Sequence, residues 1–314
     1  MTPANEPVRR ILSVDGGGIK GVFPASFLAH IEGLVDGTVA DYFDLIVGTS
    51  TGGIIALGLG LGLSAGQILD FYEDKAGTIF TGKKWGLIRP RYDSDGLRRA
   101  LEGVFHNRKL GESSKRLVVP SMNLQNGDVY IYKTAHHRRF ANDYKVSAVD
   151  VGLHTSAAPG YFPVQRAASG LPLVDGGMWA NNPVGLAVVE AIGVLGWLPD
   201  QLRVLSLGCT ASPFDIGGGA IEHFGLWHWA FKIIDLFMAG QSSASLGTAY
   251  VLAGHDHVRR VSPVVPKGRF SLDGVSGIAS LKGLGQSEAR NEWPFLETMF
   301  FGCKAEAFQP YYTI

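Results

Sequence analysis

Short apolar runs alternate along this chain with longer stretches in which apolar residues recur at helical spacing. The short runs predict strands and the helical spacing predicts amphipathic helices. The predicted strands are residues 10–14, 43–47, 115–123, 129–134, 171–174, 202–207 and 257–262. The predicted helices are residues 22–35, 51–63, 68–76, 149–157 and 181–195, with a further capped helix inside 91–105.

The order of these elements predicts the fold class. Strands and helices alternate over most of the length, which is typical of a mostly parallel central sheet covered by helices on both faces. We therefore expect a three-layer α/β/α fold. Because no repeat, low-complexity tract or linker interrupts the pattern, we expect residues 1–314 to form a single domain.

Composition limits the classes of partner. The chain has 314 residues, 46% hydrophobic and 18% charged, which predicts an apolar but soluble protein with a large core. The formal net charge is +0, so no overall field attracts a DNA or RNA polymer. The same neutrality gives little repulsion between copies, and a homo-oligomer is one hypothesis.

The cysteines and the N-terminal residues point to a cytoplasmic protein without a metal. Cys209 and Cys303 match no zinc spacing and have no accompanying ligands, so no metal site is expected. The first ten residues lead directly into a strand and contain no apolar targeting segment. Residues 45–68 carry no charge, but glycines and hydroxyl residues interrupt them, which favours a buried helix over a membrane span.

One short motif suggests a nucleophile. Gly48-Thr49-Ser50-Thr51-Gly52 reads G-x-S-x-G and lies between a predicted strand and a predicted helix, the context of a nucleophile elbow. In such a tight turn Gly48 and Gly52 must lack a Cβ, and Ser50 projects from the turn. The alternative is an ordinary Gly/Ser/Thr-rich loop before a helix.

A glycine-rich turn follows the first strand, in the sequence DGGGIKG of residues 15–21. Its glycines can expose backbone N–H groups at a helix start, as an oxyanion hole requires. The spacing of Gly16, Gly18 and Gly21 also matches a dinucleotide fingerprint. That alternative needs an acidic residue at the end of a second strand, and the segment around Asp36 is not strand-like.

The best candidate for a general base is Asp175. None of the nine histidines lies in a clear loop at a strand end, where a triad would place its base. Asp175 follows a strand, so in a parallel sheet it would share an edge with Ser50. Gly176 and Gly177 allow close approach of the backbone, although Asp-Gly-Gly is also an ordinary turn.

Together these motifs resemble the patatin-like phospholipases. The resemblance rests on DGGGIKG, GTSTG and DGG in that order, with TSAAPGYFPV at 155–164 and ANNP at 180–183. It covers about residues 10–208 and implies the α/β/α fold of that family and a Ser–Asp dyad without a cofactor.

The resemblance also implies roles for individual residues. Ser50 would attack an acyl ester of a membrane glycerophospholipid at the inner membrane surface, and Asp175 would take its proton. Lys20 occupies a basic position that could contact lipid phosphate. The implied oxyanion donors are the backbone N–H groups of Gly16, Gly17, Gly18 and Thr51. One departure is SLGCTASP at 206–213 in place of SLGTG, which we expect to lie away from the dyad.

Two segments bear on substrate and regulation. Residues 225–240 predict a helix with Leu226, Trp229, Ile233 and Phe237 on one face, which is a lipid-interface helix, a lid or simply a core helix. Ten basic and four acidic residues between positions 83 and 116 leave a formal charge of +6, which suits an anionic lipid or regulator, or a solvated face.

The block from residue 75 to 105 further resembles bacterial anti-phage effectors of the same family. Those proteins are switched on by a cyclic nucleotide, so the resemblance implies a cyclic-nucleotide activator for this chain. GTIFTGKK within the block misses the Ser/Thr of a P-loop, which argues against nucleotide hydrolysis. The alternatives are a general lipase or esterase, and a non-catalytic sensor of lipids or nucleotides.

Overall fold

The computed structural model of the chain describes residues 7–82, 89–212 and 226–314. Its strands are β1 (Arg9–Val14), β2 (Leu45–Gly48), β3 (Arg116–Asn123), β4 (Val129–Lys133), β5 (Gln165–Arg166), β6 (Pro172–Asp175), β7 (Leu202–Leu207) and β8 (Val258–Val261). Its α-helices are α1 (Val22–Glu32), α2 (Thr51–Gly60), α3 (Ala65–Ile79), α4 (Asp95–Phe105), α5 (Ala148–Thr155), α6 (Gly177–Ala180), α7 (Val184–Gly193), α8 (Leu226–Ala253) and α9 (Ile278–Phe300).

The described strands form one eight-stranded sheet, most of it parallel. Parallel pairing joins β8, β7, β1, β2 and β3 in that order. Antiparallel pairing adds β4 and β6 to β3, and β5 to β6. The predicted α/β class with a mostly parallel sheet is confirmed.

Successive side chains of each strand point to opposite faces of the sheet, and this alternation divides the apolar core into two parts. In β1, Leu12 and Val14 belong to the larger apolar cluster, which contains buried residues of α1 to α5 and α9. Ile11 points to the other face and belongs to a smaller cluster with residues of α7 and α8. Helices therefore cover both faces, and the three layers follow from the period-two alternation of strand side chains.

Strand β6, which ends at Asp175, runs antiparallel to its neighbour β3. The expectation that a parallel sheet brings Asp175 to the same edge as Ser50 was therefore wrong. Val118 of β3 pairs with both β2 and β4, so these two strands lie on opposite edges of β3. Ser121 pairs with both β4 and β6. Strand β6 therefore takes the same edge of β3 as β2 but runs in the opposite direction, so the ends of β2 and β6 face each other.

Several element boundaries differ from the prediction for local reasons. Helix α3 starts at Ala65, because Ser64 and Gln67 form a capping box there. Helix α2 ends at Gly60, and Gly62 follows with φ of +86°, a conformation that ends helices. Strand β5 and helices α6 and α9 were not predicted.

The uncharged stretch 45–68 is divided among β2, α2 and the start of α3. Within the described ranges, we find no helix that combines the length and the apolar character needed to cross a bilayer.

Candidate active site

The G-x-S-x-G motif forms a tight turn between β2 and α2. Ser50 has φ of 55° and ψ of −121°, in the left-handed region that a residue with a side chain rarely adopts. A Cβ on Gly48 would lie 2.0 Å from the carbonyl oxygen of Gly52, and one on Gly52 would lie 2.2 Å from that of Val14. Neither position has room for a side chain, so the turn requires both glycines.

The turn brings Ser50 to Asp175. The Ser50 hydroxyl donates a 2.6 Å hydrogen bond to Oδ2 of Asp175, and the two side chains come from the facing ends of β2 and β6. Oδ1 of Asp175 accepts a 2.7 Å bond from the Gly177 N–H. A Cβ on Gly176 would lie 2.3 Å from the Pro120 carbonyl oxygen, so the first glycine after Asp175 allows β3 to approach. Among the described residues, no histidine hydrogen-bonds to either side chain.

Burial changes the chemistry of this pair. Ser50 is 8% exposed and Asp175 is 6% exposed. Burial raises the pKa of Asp175 to about 6, and the hydrogen bonds from Ser50 and Gly177 lower it only in part. A carboxylate with a raised pKa is a stronger base than an ordinary aspartate, which suits it to accept a proton from a hydroxyl.

Thr155 fixes the backbone of the turn. Its hydroxyl oxygen accepts a 3.0 Å bond from the Ser50 N–H and its proton goes to the Pro120 carbonyl oxygen at 2.6 Å. Thr155 ends α5, so this helix also positions the candidate nucleophile.

The glycine-rich turn lies directly beside Ser50. A Cβ on Gly16 would lie 3.2 Å from Cβ of Ser50. The Gly16 N–H already donates to the carbonyl oxygen of Asn181 at 2.9 Å, so it is not a free oxyanion donor. For the N–H groups of Gly17, Gly18 and Thr51, no hydrogen bond to another described residue is found.

Leu272 closes the outer side of this turn. Gly18 has φ of +57°, and a Cβ there would lie 2.3 Å from the Leu272 carbonyl oxygen. The same carbonyl accepts a 2.9 Å bond from the Ile19 N–H. The segment that contains Leu272 is tied down by Asp273, which accepts a 2.9 Å bond from the Tyr92 hydroxyl.

A buried ion pair lies under the glycine turn. Arg260 of β8 donates from Nη1 to Oδ1 of Asp15 at 2.7 Å and from Nη2 to Oδ2 at 2.5 Å. Nη1 also donates to Ser206 at 2.8 Å. Burial alone would lower the pKa of Arg260, but the attraction of Asp15 and these bonds outweigh it and raise the pKa.

Cys209, within the departure at residues 206–213, lies at the site, contrary to our expectation. Sγ of Cys209 donates to the Asp15 carbonyl oxygen at 3.3 Å. A Cβ on Gly17 would lie 2.4 Å from Cβ of Cys209, so this residue packs against the proposed oxyanion turn. Burial raises the pKa of the Cys209 thiol to about 12, so it stays protonated.

The structure does not favour the dinucleotide alternative. Asp36 lies in a turn after α1 and not at the end of a strand, and Gly16 is engaged by Asn181. Lys20 is half-buried in the short 3-10 turn Gly18–Gly21, within electrostatic range of Asp15.

Two described residues of the basic segment make separate contacts. Arg98 pairs with Asp150 on α5, whereas Arg116, the first residue of β3, donates to the Asp44 carbonyl oxygen. Lys83 and Lys84 lie outside the described residues.

Sequence reasoning did not give roles to four residues that shape the site. These residues are Thr155, Asn181, Arg260 and Leu272. The first two fall inside TSAAPG and ANNP, where the family resemblance was the available signal. Arg260 interrupts the apolar pattern of a short strand, VRRV, and a charge at such a position is a signal of a buried partner. We find no comparable signal for Leu272, which acts through its backbone.

The sequence is similar to those of known proteins. The family model of the patatin-like phospholipases matches residues 12–188. The chain is 33% identical over 247 residues to a cGAMP-activated phospholipase of Pseudomonas aeruginosa, covering 76% of this chain and 73% of that protein. It is likewise 33% identical over 260 residues to a cGAMP-activated phospholipase of Vibrio cholerae, covering 73% of each. Patatin-like protein 4 of Arabidopsis thaliana is 29% identical over 261 residues, covering 71% of this chain and 65% of that protein.

Proposed function

The chain belongs to the patatin-like phospholipase family, and from this premise we propose that it is a lipid acyl hydrolase that cleaves acyl esters of membrane glycerophospholipids through Ser50 and Asp175. The observation that carries the proposal is the 2.6 Å hydrogen bond from the Ser50 hydroxyl to the buried Asp175 carboxylate. A nucleophile and a base within hydrogen-bond reach are the minimum that acyl transfer requires.

In the first half of the proposed reaction, Oγ of Ser50 attacks the ester carbonyl carbon while its proton passes to Oδ2 of Asp175. The carbonyl π bond becomes an oxyanion. When the tetrahedral intermediate collapses, the bond to the alcohol breaks, and the protonated Asp175 returns its proton to the leaving lysophospholipid oxygen. Ser50 is left as an acyl ester.

In the second half, Asp175 takes a proton from water, and the resulting hydroxide attacks the acyl-Ser50 carbonyl. Collapse of this intermediate returns the proton to Oγ of Ser50 and releases the fatty acid. The two half-reactions together consume one water molecule, and none of the steps proposed here uses a metal or cofactor.

We propose Gly17, Gly18 and Thr51 as the oxyanion donors and leave out Gly16, whose N–H is engaged by Asn181. Each such donor contributes about 3 kcal/mol to the stability of the transition state in comparable enzymes. The contacts of Arg260 with Asp15 and of Leu272 with Ile19 support the rigidity of this turn.

We further propose that a cyclic nucleotide activates the enzyme in anti-phage defence. Two relatives at 33% identity are named for activation by cGAMP.

The test is fatty-acid release from phospholipid vesicles by the wild-type protein, Ser50→Ala and Asp175→Asn, each with and without a panel of cyclic di- and trinucleotides. We expect release by the wild type, an increase with one nucleotide, and a loss of at least about a thousandfold in both variants. Ser13→Ala is a matched control, since Ser13 is fully buried and its hydroxyl has no partner among the described residues.

Each alternative has its own outcome. Release from a short-chain ester but not from vesicles would favour a general esterase. Equal release by all the proteins would contradict the dyad. Nucleotide or lipid binding without any hydrolysis would favour the non-catalytic sensor.

A further inference from the structure

Helix α8 changes character along its length. Its C-terminal half packs on α7. The Ser245 hydroxyl donates to the Asn182 carbonyl oxygen and accepts from the Gly185 N–H, and Ala249 is fully buried. Its earlier part is different. The side chains of Leu226 and Trp229, which were predicted on the same face as Ile233 and Phe237, lie outside the described residues. From Ile233 onward, four large apolar side chains are 40% to 69% exposed, namely those of Ile233, Ile234, Leu236 and Phe237.

These four side chains share one face of the helix. At about 100° per residue they fall within an arc of roughly 160°, and Asp235 lies on the opposite side. The helix is therefore amphipathic in this region with its apolar face in solvent, an arrangement that aqueous solution alone does not stabilise.

Gln241 connects this helix to the candidate active site. Gln241 lies within the same arc, about 6 Å along the axis from Phe237. Its side-chain oxygen accepts a 2.7 Å bond from the Asn181 N–H, and Asn181 in turn holds Gly16 beside Ser50. The exposed face therefore leads from the site outward.

Two further elements add exposed apolar groups near the site. Leu272, whose carbonyl oxygen touches the glycine turn, is 37% exposed, and Met178, three residues after Asp175, is 44% exposed. Lys267 and Arg269 are exposed on the segment that leads to Leu272, and Lys267 lies 3.9 Å from Asp235 of α8. Lys267 and Arg269 are the charged residues of residues 262–272, and both are basic.

We propose that Ile233, Ile234, Leu236 and Phe237, together with Leu272 and Met178, form a membrane-docking surface that inserts among the acyl chains of an anionic bilayer. The inference rests on the proposed function, since a lipid acyl hydrolase must reach an ester that lies just below the headgroups. Lys267 and Arg269 complement anionic headgroups while the apolar side chains enter the layer beneath.

The test measures binding separately from hydrolysis. In a Ser50→Ala background, co-flotation with phosphatidylglycerol-containing vesicles compares the parent with Ile234→Ser/Phe237→Ser. Leu34→Ser is the matched control, because Leu34 is apolar, is 48% exposed and lies after α1, outside the proposed surface. We expect the partition coefficient to fall at least about tenfold for the double variant and to stay unchanged for the control.

A second measurement addresses charge. Lys267→Gln/Arg269→Gln weakens binding to phosphatidylglycerol vesicles, and raised salt weakens binding of the parent in the same way. Undiminished binding of the double apolar variant overturns the proposal. So does a parent that is dimeric without lipid while the variant is monomeric, since the face then belongs to a second copy.

The outcomes separate this inference from the proposed reaction. If Ser50→Ala binds vesicles through this face and no protein hydrolyses any ester, the surface stands and the hydrolase proposal fails. If hydrolysis of a soluble ester depends on Ser50 while the double variant binds and cleaves vesicles like the wild type, the surface fails alone. Circular dichroism of each variant confirms that it is folded.

Discussion

Asp175 is a weak base made stronger by its surroundings. An ordinary aspartate is almost fully ionised at neutral pH and holds a proton poorly. Burial of Asp175 disfavours its charged form, and the two hydrogen bonds that it accepts are not enough to restore the usual value. The side chain therefore accepts and returns a proton more readily, and its protonation should be visible in the rate.

The first prediction is the pH dependence of hydrolysis. Only the ionised carboxylate can take the proton of Ser50, and burial raises the pKa of Asp175 to about 6. We expect kcat/KM on a soluble ester to be constant above that pH and to fall about tenfold per unit below it. A fall in kcat/KM that begins only near pH 4, the range of an ordinary carboxyl group, would contradict the raised pKa of Asp175. Circular dichroism across the range separates titration from unfolding.

The second prediction concerns the ion pair beneath the glycine turn. Arg260→Met leaves the Asp15 carboxylate buried without its cation, and we expect the free energy of unfolding to fall by about 3 to 5 kcal/mol. Adding Asp15→Asn removes the unpaired charge and should recover part of this loss. Urea unfolding of both single variants and the double variant measures the coupling, and purely additive effects would show that the pair is not linked.

At the scale of elements, α9 shows how one helix is attached to the core. Ser26 of α1 donates a 2.8 Å bond to the Lys282 carbonyl oxygen of α9. Gly285 lies in the contact between the helices, where a Cβ would approach the Phe23 carbonyl oxygen to 2.6 Å. The buried residues of α9 are Leu281, Gly285, Ala289, Leu296 and Phe300. This buried stripe and the close approach of the backbones at Gly285 together attach the helix.

The third prediction uses two glycines of this helix as a matched pair. Gly285→Ala pushes α9 away from α1, and we expect it to destabilise the protein by about 1 to 3 kcal/mol. Gly283→Ala meets no atom within 4 Å and should stabilise the helix by about 0.5 to 1 kcal/mol. Urea unfolding measures the free energy of unfolding of each variant. Equal changes in the two variants would mean that the helices are not in close contact at Gly285.

At the scale of the whole molecule, the residues after α9 join distant parts of the fold. The Ala305 N–H donates to the Asp41 carbonyl oxygen, and the Tyr311 N–H donates to that of Ala135 beyond β4. The Phe308 ring lies under the guanidinium of Arg116 at 5.0 Å. This segment ties the helix layer to the edge of the sheet on which β4 lies.

The fourth prediction is the effect of removing that segment. Deleting residues 305–314 exposes the Arg116 environment and removes the bonds to Asp41 and Ala135, so we expect a clearly lower midpoint of thermal unfolding. Deleting only Thr313 and Ile314, which are exposed, serves as the control and should leave the midpoint unchanged. Equal midpoints for both deletions would mean that the contacts of the segment contribute no stability.

The sequence by itself determined the local geometry of the candidate site. Gly48 is required because a Cβ there would meet Gly52 inside the turn, a constraint that acts within five residues, whereas Gly52 is required by the approach of Val14 at the end of β1. The alternation of apolar runs likewise predicted the layers of the fold, since period-two and helical patterns are local properties. Ser50 and Asp175 were both named from such patterns, and their catalytic roles remain predictions.

Only the tertiary structure decided how those residues meet. A parallel sheet was expected to bring Asp175 to Ser50, but β6 runs antiparallel to β3 and faces the end of β2. The engagement of Gly16 by Asn181, the pairing of Asp15 with Arg260 and the contact of Cys209 with Gly17 also join residues at least 165 positions apart. Such contacts depend on which strand pairs with which and in what direction, and no local pattern of apolar and polar residues records that choice.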